Sequence, residues 1–483
     1  MTDSHPIVGW EKETPVPDQY QFNAYLNTRN GRLFMEDLDL FNLFTDDGPD
    51  QEFPHTLPSP LEIVYLPIIR HRIRQMQQIF AEEMAAAEYD GRFIYTYASK
   101  ANAAEEVIRT TLSAGAHHEM SSVVDVSIAK IMLRRGLLTP DKFIVCNGFK
   151  PAGSSYSENI MQLRALHENV LPIVEDLSEL SPLVGSGLKF DVGLRLKTYG
   201  RHESIEAMNQ ANSRFGFDLD NLWKAADYIA AAPNLNLALF HAMVGSQILS
   251  EEDFVERLTP GIELYARLRQ RAPTLHIFDF GGGMPAPMTL NFTFDYHHFV
   301  RLLLAKLTEM CARYNVPVPD VMGEFGRYTT SEHGAHLFKI NTAKENNSKL
   351  PWYIIDGSIM SSFPDSWALQ EHFIVLPLNH LDKPFRQVQL GGITCDSDDV
   401  YPPKTSHSPL YLPVETEGLH IGFFSIGAYQ EMLGGVGGSK HCVVPEAYEL
   451  LIDREGDGRY QFQILPGQSE TDVLENLGYK VTP

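Results

Sequence analysis

Apolar residues change their spacing at a few points along this chain, and those points divide it. From Ile68 to Ala87 the run IIRHRIRQMQQIFAEEMAAA returns its apolar positions at helical intervals, an amphipathic helix. From there to about residue 345, short apolar runs alternate with helical patterns. FIYTYA, GAHHEMSS, KFIVCNG, VLPIVED, DVGLRLK, LNLALFHAMVG, HIFDFGGG and DVMGEFGR predict strands. VVDVSIAKIMLRRG, SENIMQLRALHEN and EEDFVERLTPGIELYARLRQR predict helices between them. Such alternation implies parallel crossover units, and eight of them close into a barrel. Past about Asn346 the texture changes. WYIIDGSI, HFIVLPLN, RQVQLGGITCDS, LYLPVE and LHIGFFSIG are short strands with turn signals and few helices between them, an antiparallel β domain. Ahead of the barrel, RLFMEDLDLFNLF and SPLEIVYLP predict a strand, a short helix and another strand, separated by a loop rich in Asp, Gly and Pro. A single strand cannot bury itself, so this segment is expected to join the β domain. The expected organisation is a polar arm over 1–30, an N-terminal segment of the β domain over 31–66, a (β/α)8 barrel over 67–345 and a C-terminal β domain over 346–483.

Composition narrows the function classes. With 43% hydrophobic and 21% charged residues, the 483-residue chain has the make-up of a globular protein large enough for two domains. A net charge of −23 argues against nucleic acid or an anionic membrane as partner, and suits a cationic small molecule. The four cysteines, Cys146, Cys311, Cys395 and Cys442, lie far apart with no CxxC pair. That fits a reducing compartment without a disulfide framework or metal set. The polar N-terminus lacks a signal peptide's apolar core, and no apolar run reaches membrane-spanning length, so a cytoplasmic location is expected.

Chemically distinctive residues fall at the carboxyl ends of the predicted strands, where a barrel keeps its site. Lys100 follows FIYTYA, where a buried strand turns into a helix; lysine forms Schiff bases once its pKa is lowered. Alone it reads as a solvated loop lysine. Gly281, Gly282 and Gly283 follow the strand FDF, and consecutive glycines let backbone N–H groups approach an anion; alone they read as a tight turn. In GEFGR, Glu324 can hold a ring nitrogen protonated and Arg327 can grip phosphate, or the two can form a structural pair. Cys395 and Asp396 stand together in GGITCDSDD, an adequate proton donor beside a carboxylate, although a cysteine is more often a small apolar residue. Tyr429 in SIGAYQEM is placed to reach phosphate, or to be an ordinary half-buried tyrosine.

Taken in order, YASKAN, GGG, GEFGR, DG, CDSDD and GAY resemble the fold-type III pyridoxal-phosphate decarboxylases, the alanine-racemase-like barrel group. The resemblance spans nearly all the chain after about residue 30. It is strongest to biosynthetic arginine decarboxylases, through IVCNGFK, PDSWAL, LGGITCDSDD and IGFFSIGAYQE. It implies that Lys100 bears pyridoxal 5′-phosphate as an imine and that Glu324 pairs with the pyridine nitrogen. It also implies that Gly281, Gly282, Gly283, Arg327 and Tyr429 hold the phosphate, with Arg195 near the cofactor. Cys395 resembles the acid that protonates the carbanion, and Asp396 and Asp356 the carboxylates that take the substrate's distal cation. In relatives the site is shared between two chains, which implies a homodimer. The chain departs from the pattern in LFHAMVGSQI. Aligning on Gly245–Ser246 places Met243 where a ring-stacking histidine is expected, while His241 lies on the same strand face. Phe325 stands where proline is common, and the helical insertions usual in biosynthetic arginine decarboxylases are missing. Glu119 matches a family acid without an assigned role, and His117 and His118 read as barrel packing. Aspartate rather than glutamate after Cys395 favours a purely cationic distal group. Arginine decarboxylation to agmatine is the expected activity, with ornithine, lysine or a modified cationic amino acid as alternatives, and an inactive regulatory homologue as another.

Overall fold

The protein is seen here in a computed structural model that describes residues 5–46, 54–197, 212–345, 349–454, 456 and 458–481. It divides into two compact units.

One unit comprises Ile69–Ala286 and Thr293–Thr329 and holds a closed barrel of eight parallel strands. In chain order the strands are Phe93–Ala98, His117–Met120, Ile144–Cys146, Val170–Val174, Phe190–Arg195, Leu235–His241, Ile277–Asp279 and Asp320–Phe325. Seven lie within the runs read from the sequence, and the fifth begins one residue ahead of its run, at Phe190. Such runs are nearly continuous in apolar residues because a parallel strand between barrel and helices is buried on both faces; five of the six residues of the first strand are buried. Ile94, Val145, Leu171, Ile173, Leu239, Ile277 and Met322, from six strands, pack into one cluster. Gly193 makes room for it, since a Cβ there would come 2.5 Å from Ile173 Cδ1. The predicted helices form at Val123–Arg134, Ser155–Leu166 and Glu251–Arg271. Their starts follow from side chains that accept a first-turn N–H: Ser122, Ser154 and Ser250.

The other unit comprises Met1–Ile68, Pro287–Phe292 and Thr330–Pro483. Its main sheet runs in the order Val400–Tyr401, Phe385–Gly391, Trp352–Ile355, Gly334–Lys344, Leu61–Tyr65, Tyr448–Arg454, Tyr460–Leu465, with three further strands attached. The expected N-terminal strand, Leu61–Tyr65, is thus central. The sheet is mostly antiparallel, as expected, with two parallel pairs, Trp352–Ile355 with Phe385–Gly391 and Leu61–Tyr65 with Tyr448–Arg454. Two readings change. Residues 330–345, placed with the barrel on the sequence, belong to this sheet through the long strand Gly334–Lys344, whose first five residues are buried. The arm expected over 1–30 is packed from residue 8 on. Val8, Trp10, Val16, Tyr25 and Leu26 are core residues, and Leu26–Arg29 pairs with Arg32–Met35 across an Asn30–Gly31 turn with both φ positive. Most of the loop expected between the early strands falls on residues 47–53, outside those described.

Candidate active site

Parallel strands deliver all their carboxyl ends to one rim, so residues far apart in sequence converge there. Lys100 lies in the turn Ser99–Ala101 after the first strand, Glu119 on the second, Asn147 just past the third. Arg195, His241 and Asp279 are the last residues of the fifth, sixth and seventh strands, and Glu324 is the penultimate residue of the eighth.

These side chains form one polar chain. Lys100 Nζ is 3.1 Å from Glu119 Oε2. Asn147 Nδ2 donates to Glu119 Oε1 at 2.9 Å and to Glu324 Oε1 at 2.7 Å. Glu119 is fully buried, and Asn147 and Glu324 nearly so. Burial raises the Glu119 carboxyl above the usual range; the Lys100 ammonium opposes this and the Glu324 charge adds to it. Asp279 is also fully buried, and burial and then Glu324 push its carboxyl well above the usual range. Asp279 therefore keeps its proton and bonds to Glu324, while its Oδ1 accepts the Gly281 N–H at 2.8 Å. His241 offers a ring nitrogen within 4.8 Å of both carboxyl groups. Burial, with Arg195 adding, holds this imidazole well below its ordinary pKa, so it is neutral. Neither of its ring nitrogens has a hydrogen-bond partner among the described residues.

The three glycines are required by space. A Cβ at Gly281 would lie 2.8 Å from His241 Nε2 and 3.0 Å from Met243 Sδ; at Gly282, 2.9 Å from Glu324 O; at Gly283, 2.0 Å from Gly245 O. Both candidates for the ring-stacking position, His241 and Met243, thus border Gly281. Arg327 opens the short helix Arg327–Thr330 directly after the eighth strand. Arg195 Nη1 bonds Glu175 Oε1 at 2.9 Å, and its guanidinium lies 4.6 Å from the Phe215 ring centre. His117 and His118 are both held neutral by burial, and His117 Nδ1 accepts the Phe143 N–H at 2.8 Å.

The remaining candidates lie in the other unit. Asp399 anchors the loop that carries Cys395 and Asp396. Its Oδ2 accepts from Thr394 N at 3.0 Å and Thr394 Oγ1 at 2.7 Å, and its Oδ1 from Ser358 Oγ and the Met360 N–H. Cys395 is exposed. Asp356 Oδ1 accepts the Lys339 N–H at 3.0 Å, and burial raises its carboxyl. Tyr429 precedes the helix Gln430–Gly434 with φ +70, so a left-handed residue turns the chain there. Although the cysteines are far apart in the sequence, Cys395 Sγ lies 3.6 Å from Cys442 Sγ, with His441 beside them. Spacing could not reveal this, because the two cysteines lie 47 positions apart. Sequence reasoning also missed Asn147 and Asp279 as site residues; IVCNGFK and HIFDFGGG carried them at strand ends.

The rim fits pyridoxal phosphate. It has an amine at Lys100, a glycine turn where any Cβ would clash, and a buried neutral imidazole with both nitrogens unbonded. Residues 69–331 match the family described as "Pyridoxal-dependent decarboxylase, pyridoxal binding domain". The biosynthetic arginine decarboxylase of Shewanella sediminis is 22% identical over 536 residues, covering 86% of this chain and 83% of that protein. The solved biosynthetic arginine decarboxylase of Campylobacter jejuni shares the fold with a TM-score of 0.79 at 20% identity, covering 95% of this chain and 91% of that one. A diaminopimelate decarboxylase from M. jannaschii superposes at 0.76 and 19% identity, covering 96% and 99%. A barrel rim built around an amine, a glycine turn and a carboxyl pair, and a family match over the whole barrel, lead to one statement: the chain belongs to the pyridoxal-dependent decarboxylases.

Proposed function

We propose that the protein is a cytoplasmic homodimer that decarboxylates L-arginine to agmatine and carbon dioxide, a step of polyamine biosynthesis. The observation that carries this reading is the continuous contact chain Lys100–Glu119–Asn147–Glu324 at the barrel rim. Lys100 is the amine that would hold the cofactor through its aldehyde. Pyridoxal phosphate, when bound, supplies the electron sink for the pair left as carbon dioxide departs. Glu324 would pair with the ring nitrogen, with Asp279, whose carboxyl burial pushes well above the usual range, beside it. Gly281, Gly282, Gly283, Arg327 and Tyr429 would hold the phosphate, with Arg195 on the same rim and His241 or Met243 as the residue that would cover the ring. Cys395 returns a proton to the α-carbon, and Asp396 and Asp356 receive the distal cation. In this reading Cys395 and Asp396 are supplied to the rim by a second copy of the chain.

Arginine is favoured over the alternatives by two supports. Aspartate follows Cys395, which suits a guanidinium without a distal carboxylate. The curated relative reported above, and the solved structure that superposes at 0.79, are named biosynthetic arginine decarboxylases. The test is an amine-product assay across arginine, ornithine, lysine and diaminopimelate. Agmatine is expected as the main product. Putrescine or cadaverine in its place overturns the substrate and leaves the chemistry standing. No amine from any of the four, with no visible absorbance that borohydride bleaches, overturns both.

A further inference from the structure

Three side chains outside the barrel come together in a way the decarboxylation does not explain. Cys395 Sγ lies 3.6 Å from Cys442 Sγ, and Cys442 Sγ lies 3.4 Å from His441 Nε2. One ligand atom from each of the three falls within 4.8 Å of the other two, and all three residues are exposed. His441 and Cys442 are adjacent, and adjacent side chains of an extended strand point to opposite faces. Here φ of +54 at Cys442 breaks that alternation, and both side chains meet Cys395.

The spacing can be compared with a tetrahedral metal centre. Zinc with bonds of about 2.3 Å to sulfur and about 2.0 Å to nitrogen has S···S edges of about 3.8 Å and S···N edges of about 3.5 Å. Two of the three edges in the protein are already close to those lengths. A fourth ligand is at hand. Asp396 Oδ2 lies 3.6 Å from His441 Nε2, and its other oxygen accepts the Asp398 N–H at 2.8 Å, which orients the carboxylate. Two thiols, an imidazole and a carboxylate form a donor set that selects a borderline-soft divalent ion over magnesium or calcium.

We propose that Cys395, His441 and Cys442 form a surface binding site for a zinc-class divalent cation, with Asp396 in the fourth position, and that its occupancy switches the enzyme off. The binding half of this proposal stands on the geometry alone. The inhibitory half rests on the reading of Cys395 as the proton donor and Asp396 as the cation's partner. Each thiol binds as thiolate, so its proton passes to solvent as the metal–sulfur bond forms, and no electrons are transferred. Affinity therefore rises with pH.

The experiment uses the pyridoxal-loaded protein, kept reduced with a phosphine, titrated with cobalt(II) and then with zinc(II). Tetrahedral cobalt–thiolate bands are expected in the red, clear of the cofactor's absorbance, saturating at a single equivalent per chain and bleached by zinc. Cys442→Ser and His441→Ala should each weaken binding by at least about tenfold. Zinc should inhibit decarboxylation in the parent and at least about tenfold less effectively in Cys442→Ser, whose metal-free activity stays unchanged. Absence of the bands overturns the proposal, as does their persistence in both variants. A Cys395–Cys442 disulfide that forms in air, opens with phosphine and leaves no metal affinity overturns it in favour of a redox pair. Cobalt binding is read without turnover. A protein that binds metal but makes no amine would sink the functional reading alone, whereas one that makes agmatine and binds no metal would sink this one alone.

Discussion

Asn147 is the sharpest point at which to test the barrel site, because one amide joins its two carboxylates. Its Nδ2 donates to Glu119 and to Glu324 at 2.9 and 2.7 Å, all three residues being buried. Asn147→Leu removes the donor while keeping the branched shape and the number of side-chain heavy atoms. A hydrogen bond to a charged group contributes about 1.5–3 kcal/mol, so two give about 3–6 kcal/mol. Glu119 retains Lys100 and Glu324 retains Asp279, which places the expected loss near the lower end, about 3 kcal/mol. The loss carries a pH signature. Without the amide, the Glu119 carboxyl, already raised by burial, rises further. A carboxyl with a raised folded-state pKa contributes stability that is present below its unfolded pKa and lost as pH rises through the folded one. The deficit of the variant is therefore greatest at neutral and alkaline pH and shrinks on acidification towards about pH 5. Asn147→Asp, which adds a third carboxylate, should be worse than leucine at neutral pH and recover more on acidification.

Unfolding of a two-unit chain is not a single transition. Hydrogen exchange of peptides from the barrel strands, measured on cofactor-free protein at about pH 5.5 and pH 7.5, reads this unit by itself. A leucine variant within about 0.5 kcal/mol of the parent at both pH values, or a deficit that does not change with pH, would refute the reasoning.

Gly283→Ala combines a left-handed φ of +90 with a Cβ only 2.0 Å from the backbone oxygen of Gly245. It should cost more than about 2 kcal/mol and weaken cofactor retention, read by thermal unfolding and by the absorbance left after dialysis; an unchanged variant would remove the close-packed turn from the site. His336 is buried, and burial holds its pKa down at about 3 against an unfolded 6.5. Its contribution to stability is present above pH 6.5 and decays as pH falls towards 3, by at most roughly 1.4 kcal/mol per pH unit. His336→Phe, which keeps the stacking on Phe338 at 4.3 Å, should flatten the acid limb of a denaturation–pH profile, and an unaltered limb would sink this attribution.

How much of this was legible in advance depends on the range over which each feature is encoded. The eight barrel strands are local, since burial on both faces leaves a short apolar run that any window detects. Lys100, Glu324 and the glycines were legible because each sits in a compact motif at the end of such a run. The Asn30–Gly31 hairpin was equally local, and its positive-φ dipeptide could have been read; the polar, proline-bearing surroundings masked it. Other features had no local encoding. Nothing near Trp352 states that its strand pairs parallel with Phe385–Gly391, because that pairing is decided by which sheet edge is free. Asn147 becomes a site residue only through barrel closure, which pairs the eighth strand with the first and so brings Glu324 to it, and Asp279 only through the pairing of the seventh strand with the eighth. Asp399 reads as one of several aspartates in CDSDD until its carboxylate is seen to take the N–H groups of Thr394 and Met360. The same reasoning explains the cysteines. Redox and metal arguments from sequence weigh spacing, and the spacing of Cys395 and Cys442 carries no signal; their 3.6 Å approach arises from tertiary structure alone, joining the loop held by Asp399 to a glycine-rich turn. Chemistry assembled this way is invisible to a motif scan, because the residues that meet Cys395 are brought to it only by the fold.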